Sequence, residues 1–233
     1  MNIGDLVTIA REDYLDDNTK DSKLWNDQFM LRAFTEAQRQ ACNRTDFLFD
    51  ELEVTLVDGS VSYVLDTRIT KIDKVLFEGK QVEKVSLSNL DYKTPSWPSE
   101  TGMTGKTIKY MIRGNRIRFV PSPTADDDGL PVTLECYVLP DDKFSSFSDE
   151  PVIGEEFHTD LVYYVLYLAL SKRDADSFDI RANEYLDKFT AVFGPYVPAR
   201  VRLHQMENAM SLVLAPHNYN DTASREIDPD ADW

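Results

Sequence analysis

The chain has 233 residues, with 25 Lys and Arg against 41 Asp and Glu and a formal net charge of −16. This balance argues against a broad electrostatic grip on nucleic acid, which depends on clustered Lys and Arg displacing counterions from phosphates. Hydrophobic residues make up 42%, enough for a core, so an acidic disordered chain is excluded over most of the length, which admits one large or two small domains.

The longest apolar run, Leu161 to Leu170, is far short of the roughly 20 residues that cross a bilayer, and no membrane span is expected. The opening Met1-Asn2-Ile3-Gly4-Asp5 has neither a basic segment nor a long apolar one, so synthesis in the cytosol is the expectation. Cys42 and Cys136 fall in helical and strand-like segments and read as small buried residues rather than as a disulfide framework.

Residues 3 to 16 are predicted as a short amphipathic helix, with Leu6, Ile9, Ala10 and Tyr14 apolar, broken by Asp16-Asp17-Asn18-Thr19. A second helix is predicted from Asp21 or Ser22, either of which can accept hydrogen bonds from its first turn. Leu24, Met30, Leu31, Phe34, Ala37 and Ala41 share one stripe of that helix, while Trp25 and Phe29 lie off it. Apolar side chains on two faces require two coverings, so this helix sits between layers or meets another subunit.

From Glu51 the period changes to two. Leu52, Val54 and Leu56, the turn Asp58-Gly59, then Val61, Tyr63 and Leu65 predict a hairpin. Val75 and Phe77 lead to a turn at Glu78-Gly79 and a return through Val82, Val85 and Leu87. A loop rich in Pro, Ser and Thr runs from Thr94 to Gly105. Ile108, Tyr110 and Ile112, the turn Gly114-Asn115, then Ile117 and Phe119 predict another hairpin, and Val132, Leu134, Cys136 and Val138 a last strand. About seven short strands at this spacing suggest a small sandwich or barrel.

Helical character returns at Pro151. The stretch Leu161 to Leu170 is apolar almost all round, which requires burial on every side. Phe178, Ala182, Tyr185, Phe189 and Val192 mark a further helix, capped by Asp176 or Ser177 and stopped at Gly194-Pro195. Beyond Tyr196 an apolar first half gives way to a polar, acidic end without period, read as an arm ordered by a partner.

The organisation is α+β: a helical bundle formed by N- and C-terminal helices (residues 1–50 and 151–194), an inserted small antiparallel β-sandwich or barrel (51–140), and an extended C-terminal arm (195–233).

No motif supplies catalysis. Gly105-Lys106-Thr107 resembles the end of a phosphate-binding loop, but Glu100 stands where its first glycine belongs and a strand pattern follows. Glu155 and His158 have the spacing of a di-metal bundle ligand pair, yet the partner copy is missing, and a polar first helical turn is the better reading. Asp126-Asp127-Asp128-Gly129 lacks the spacing of a calcium loop and reads as a solvated turn. The three histidines stand in three different segments and cannot be paired with a serine or cysteine nucleophile from sequence, and no G-x-S-x-G elbow exists. Tyr163, Tyr164 and Tyr167, on an otherwise apolar helix, read as core or subunit contact rather than a ligand platform.

Several segments carry a resemblance: Ala10-Arg11-x-x-Tyr14-Leu15-x-Asp17, Leu24-Trp25-x-Asp27 with the helix to Cys42-Asn43, Tyr137-x-Leu139-Pro140, Pro151-x-Ile153-x-x-x-Phe157-His158, and Ala175 to Phe193. Over residues 3 to 194 the chain resembles the head-to-tail adaptor (connector, or neck) proteins of tailed bacteriophages. The resemblance implies a non-enzymatic virion component at the head–tail junction, made in the host cytoplasm and forming a dodecameric ring. Its implied partners are the portal protein, tail or tail-tube/nozzle proteins and copies of itself, with genomic DNA passing through without sequence-specific binding. No cofactor, metal, catalytic residue or membrane is implied.

On this reading Arg200, Arg202, Leu203, Met206, Met210, Leu212 and Leu214 carry the portal contact, and Trp25, Phe29, Tyr163, Tyr164 and Tyr167 the subunit interface. The competing readings are a β-sandwich ligand- or carbohydrate-binding module, with Trp97 between Pro95 and Pro98 as an exposed stacking residue, and a hydrolase, for which no motif is present.

Overall fold

The computed structural model describes residues 1–17, 24–93, 95–141, 143–171, 176–198 and 201, a mixed α+β chain in which helices flank two sheets. Helix α1 (Ile3–Ile9) opens with a reciprocal cap. Asn2 Oδ1 accepts the Asp5 N–H (2.9 Å) and Asp5 Oδ2 accepts the Asn2 N–H (3.1 Å), satisfying two otherwise free donors. It continues into a π-helical turn, Ala10–Leu15, closed by Asp16 in the left-handed region (φ 49°), which matches the extent read from the periodicity.

Helix α2 (Asp27–Arg44) starts later than the periodicity suggests, at Asp27 rather than at Asp21 or Ser22, with Asn26 as its cap. The reason is Asp17. Its carboxylate accepts the backbone N–H groups of Leu24 (2.7 Å) and Trp25 (3.2 Å) and so holds these two residues outside the helix.

The chain then enters β1 (Phe49–Thr55), β2 (Tyr63–Val64), β3 (Ile69–Phe77), β4 (Lys80–Gln81), β5 (Glu83–Lys84), α3 (Leu87–Lys93), β6 (Lys109–Arg113), β7 (Arg116–Val120) and β8 (Pro131–Val138). One sheet has the order β1-β8-β3-β4 and the other β2-β7-β6-β5; β5–β6 is parallel and the other strand pairs among the described residues are antiparallel. The Asp58-Gly59 turn does not make a hairpin. It hands the chain from β1, paired with β8, to β2, paired with β7 in the other sheet. The hairpins at Glu78-Gly79 and Gly114-Asn115 form as the alternation predicts. Leu87, expected on a strand, begins α3, because β5 has already crossed to the second sheet.

Alternation decides the faces. Leu52, Leu134 and Val75 are cross-strand neighbours on the inner side of the first sheet and meet Ile112, Ile117 and Phe119 of the second. The outer side of the second sheet carries a smaller cluster, Met111 and Val120 beneath Val85, Leu90 and Trp97.

After β8, residues 143–153 are laced to the N-terminal helices. Asp149 O and Phe147 O accept the Ile3 and Gly4 N–H groups (2.9 and 2.8 Å), and Gln38 Oε1 accepts the Val152 N–H (2.8 Å). Helices α4 (Leu161–Leu170) and α5 (Asp176–Phe193) then complete a core with α1 and α2 around Leu6, Phe34, Leu161, Val165 and Phe189. The α5 stop falls at Gly194 (φ +82°), as read from Gly194-Pro195. Among the described residues no helix is long and apolar enough to cross a membrane.

Candidate assembly surface

The residues named for the resemblance at the N-terminus converge on one buried cation. Arg11, 7% exposed, donates from Nη2 to the Trp25 carbonyl (2.8 Å) and to Asp27 Oδ1 (2.8 Å), and its Nε lies 3.9 Å from Asp17 Oδ2. Asp17 in turn accepts from Leu24 and Trp25, and Trp25 Nε1 donates to the Ala169 carbonyl of α4 (3.2 Å). A charge this buried is tolerated because Nη2 donates twice and two carboxylates stand within 4 Å, although Nε itself makes no hydrogen bond. The network fixes the π-turn, the start of α2 and the end of α4 relative to one another.

Trp25 is thereby turned into the chain's own core, while Phe29 is half-buried at the core's margin. The three tyrosines of α4 are also half-buried and face two ways. Tyr163 stacks on Tyr185 (centroids 6.4 Å, interplanar 17°), Tyr14 meets Tyr185 edge-on (6.0 Å), and Lys188 sits over both Tyr185 and Tyr163 (5.0 and 5.7 Å). Tyr14 is 37% exposed, so this aromatic ridge reaches the surface.

On the other side Tyr164 packs on Tyr167 and Phe189 (5.5 and 5.0 Å), and burial followed by the nearby Glu36 pushes its hydroxyl up to about 12. Arg44 lies over Phe189 (4.9 Å) and donates to Thr190 Oγ1 (2.9 Å) and Gly194 O (3.1 Å), tying the end of α2 to the end of α5. The residues expected to contact the portal, Arg200, Arg202, Leu203, Met206, Met210, Leu212 and Leu214, lie outside the described residues.

Three local readings change. Asp127 is not part of a solvated turn but fully buried, whereas Asp126 and Asp128 are exposed. It accepts five hydrogen bonds: from the N–H groups of Met103, Thr104 and Thr124 and from the hydroxyls of Thr104 and Thr124, at 2.7–3.0 Å. Burial alone would raise its carboxyl, but these donors outweigh it and hold the group well below the usual carboxylate range. The same contacts occupy the Gly102–Thr107 loop, where Lys106 Nζ donates to the Thr101 carbonyl, so the loop is committed internally.

His158 is buried with Nε2 3.0 Å from the Ile153 carbonyl, and Glu155 pairs instead with the Met1 ammonium (3.3 Å), in a 3-10 turn ahead of α4. Trp97 is not an exposed stacking residue. It is 7% exposed, with Nε1 donating to Asp91 (2.8 Å) and Arg118 over its ring (4.4 Å). Among the described residues no three His, Cys, Asp or Glu side chains are grouped to hold a metal. Sequence reasoning listed Arg11, Asp17 and Asp27 as pattern but missed their convergence. It also missed the arginines of β6 and β7, for which the Arg113–Arg116 spacing across a Gly-Asn turn was the available signal.

No curated protein matches the chain. The family model of the SU10 adaptor protein matches residues 1–211, which takes in both helical segments, the two sheets and every motif on which the phage-adaptor resemblance rests. The chain therefore belongs to the SU10 adaptor protein family, structural adaptor proteins of phages.

Proposed function

We propose that the protein is a ring-forming connector, a dodecamer that joins the portal vertex of the capsid to the tail and lets DNA through. The observation that carries this reading is the family match over residues 1–211. In this proposal residues 1–50 and 151–194 form a helical bundle, residues 51–140 an inserted β-sandwich, and residues 195–233 an arm. The aromatic ridge supports a contact between subunits: Tyr14 and Tyr163 offer broad apolar faces that remain part-exposed in a single chain, and Tyr167, on the other side of α4, is part-exposed too. Tyr164 and Phe29 extend that contact, and Trp25 supports it from beneath. Such an interface should bury more than about 1,000 Å².

The arm contributes Arg200, Arg202, Leu203, Met206, Met210, Leu212 and Leu214 to the portal, with apolar burial offsetting the ordering entropy. The net charge of −16 suits a channel that does not retain DNA, since an acidic wall repels phosphate.

The test is to mix the purified protein with its portal and count copies by cryo-electron microscopy. A twelve-fold ring seated on the portal is the expected result. A solitary chain without affinity for the portal would remove the proposal, and a chain ending at Gly194 that still bound the portal would remove the arm's assigned role.

A further inference from the structure

We infer that the groove on the outer face of the second sheet is a docking site for the acidic C-terminal end of this chain, residues 226–233. The groove has a volume of about 720 Å³ and is lined by Leu87, Trp97, Met111, Arg113, Arg116 and Arg118 among others. This is within the range of sites that take a ligand or a short peptide.

Its charge is out of character for the chain. Arg113 and Arg116 are direct cross-strand partners, and Arg118, the partner of Met111, follows on the same face. Like charges placed opposite one another on a sheet are destabilising. Among the described residues no carboxylate lies within 4.0 Å of these three guanidiniums, in a chain with 41 acidic residues. Among the described residues Arg116 Nε donates to the Ser62 hydroxyl (3.2 Å), and Arg118 Nε is buried without a hydrogen-bond partner while its guanidinium lies over Trp97. The groove therefore presents cations held in place on a sheet and a ring, with their anion supplied from elsewhere.

The C-terminus offers that anion in a matching register. Glu226, Asp228, Asp230 and Asp232 occur at every second position. In an extended backbone, which Pro229 favours, they point to one side at about 6.6–6.8 Å intervals. Arg116 and Arg118, two apart on one face of β7, have the same repeat. The chain from Val201 to Glu226 can extend up to about 80 Å, more than twice the radius of gyration of about 17 Å expected for a compact chain of this length. Arg side chains take carboxylates bidentately, which suits this pairing better than a diffuse attraction. The inference is independent of the portal contact, which involves Arg200 to Leu214.

Hydrogen-exchange mass spectrometry on the full chain tests it. Slow exchange over residues 226–233 is expected at low salt. It should become at least tenfold faster in Asp228→Lys with Asp230→Lys, and also in Arg116→Glu with Arg118→Glu, and recover when all four substitutions are combined. The tail-side pair replaces no residue of the two sheets, so it remains informative if the groove pair fails to fold. In that case exchange at Ser86–Ser88 should quicken when the tail is reversed. A tail exchanging at the unprotected rate in the unaltered chain overturns the proposal. So does protection that survives reversal of the groove, or a groove protected only when portal is added while the tail stays open.

Discussion

Arg11 and Trp25 tie the π-turn to α4: the Arg11 guanidinium donates to the Trp25 carbonyl at 2.8 Å, while the Trp25 indole donates to the Ala169 carbonyl at 3.2 Å. Because Arg11 also neutralises Asp17, itself only 4% exposed, Arg11→Met leaves a buried carboxylate without its cation. Breaking such a pair from one side costs about 3–5 kcal/mol, which in a chain of this size is a fall in Tm of roughly 10 °C. Arg11→Lys should lie between, since an ammonium keeps the charge but is a single point, whereas the guanidinium places Nη2 on Trp25 and Asp27 and Nε near Asp17 at once. Thermal melts followed by circular dichroism check this, and a fall of under about 2 °C for Arg11→Met would show the network to be dispensable.

Local patterns were the legible part of the fold. Helix α5 and strand β8 follow clean periods of about 3.6 and 2, and the turns at Glu78-Gly79 and Gly114-Asn115 carry their geometry in two residues. Pairing between distant segments was not legible. Nothing near Asp58-Gly59 announces that β1 pairs with β8, some 80 residues on, rather than with its neighbour β2. The start of α2 was obscured for the same reason: the Asp17 carboxylate that pulls Leu24 and Trp25 out of the helix comes from the preceding segment. At the site, the Arg11, Asp17, Trp25 and Asp27 pattern was visible as residues, but its chemistry required the π-turn that brings them together. The α4 tyrosines were read as core or subunit contact, and they lie half-buried against the core.

Asp127 makes stability depend on pH. Its carboxyl is held below the ordinary carboxylate value of about 4 by hydrogen bonds that exceed the cost of burial, so the folded state binds its proton less readily than the unfolded chain. The stabilisation is fully present above about pH 4 and is lost as pH falls from there towards the depressed native value. Asp127→Ala abandons the donors of Met103, Thr104 and Thr124, and should cost about 2–4 kcal/mol at pH 7. Urea titrations between pH 2 and 7 should show this difference narrowing with acid. A gap of constant size would contradict the assignment.

The two thiols should be chemically silent in the folded chain. Cys42 and Cys136 are buried, and burial pushes each thiol up to about 11, while Cys136 Sγ also donates to the Asp50 carbonyl (3.5 Å). Reaction needs the thiolate and access, so a thiol reagent at pH 8 should label neither residue until the surrounding core opens. Two cysteines reacting at once in denaturant and slowly, at the rate of opening, in native buffer is the expected result. Prompt native labelling of Cys136 would mean that the inner face of the first sheet is accessible.

Assembly should be tightened by salt. Each chain carries −16, so bringing copies together costs repulsion, which ions screen beyond roughly 8 Å at physiological strength. The attraction that must overcome it is apolar, centred on the part-exposed ridge of Tyr14 and Tyr163 with Tyr167 beyond, and apolar contact does not weaken with moderate salt. Light scattering should therefore report larger particles at high salt than at low. Tyr14→Ser with Tyr163→Ser should weaken association by more than tenfold, as loss of about 2 kcal/mol or more at an aromatic contact requires. The individual chain stays folded in that variant because Leu161, Val165 and Phe189 remain beneath it. Particles that persist at low salt and loosen at high salt would instead place ion pairs at the interface, and the ridge would lose its assigned role.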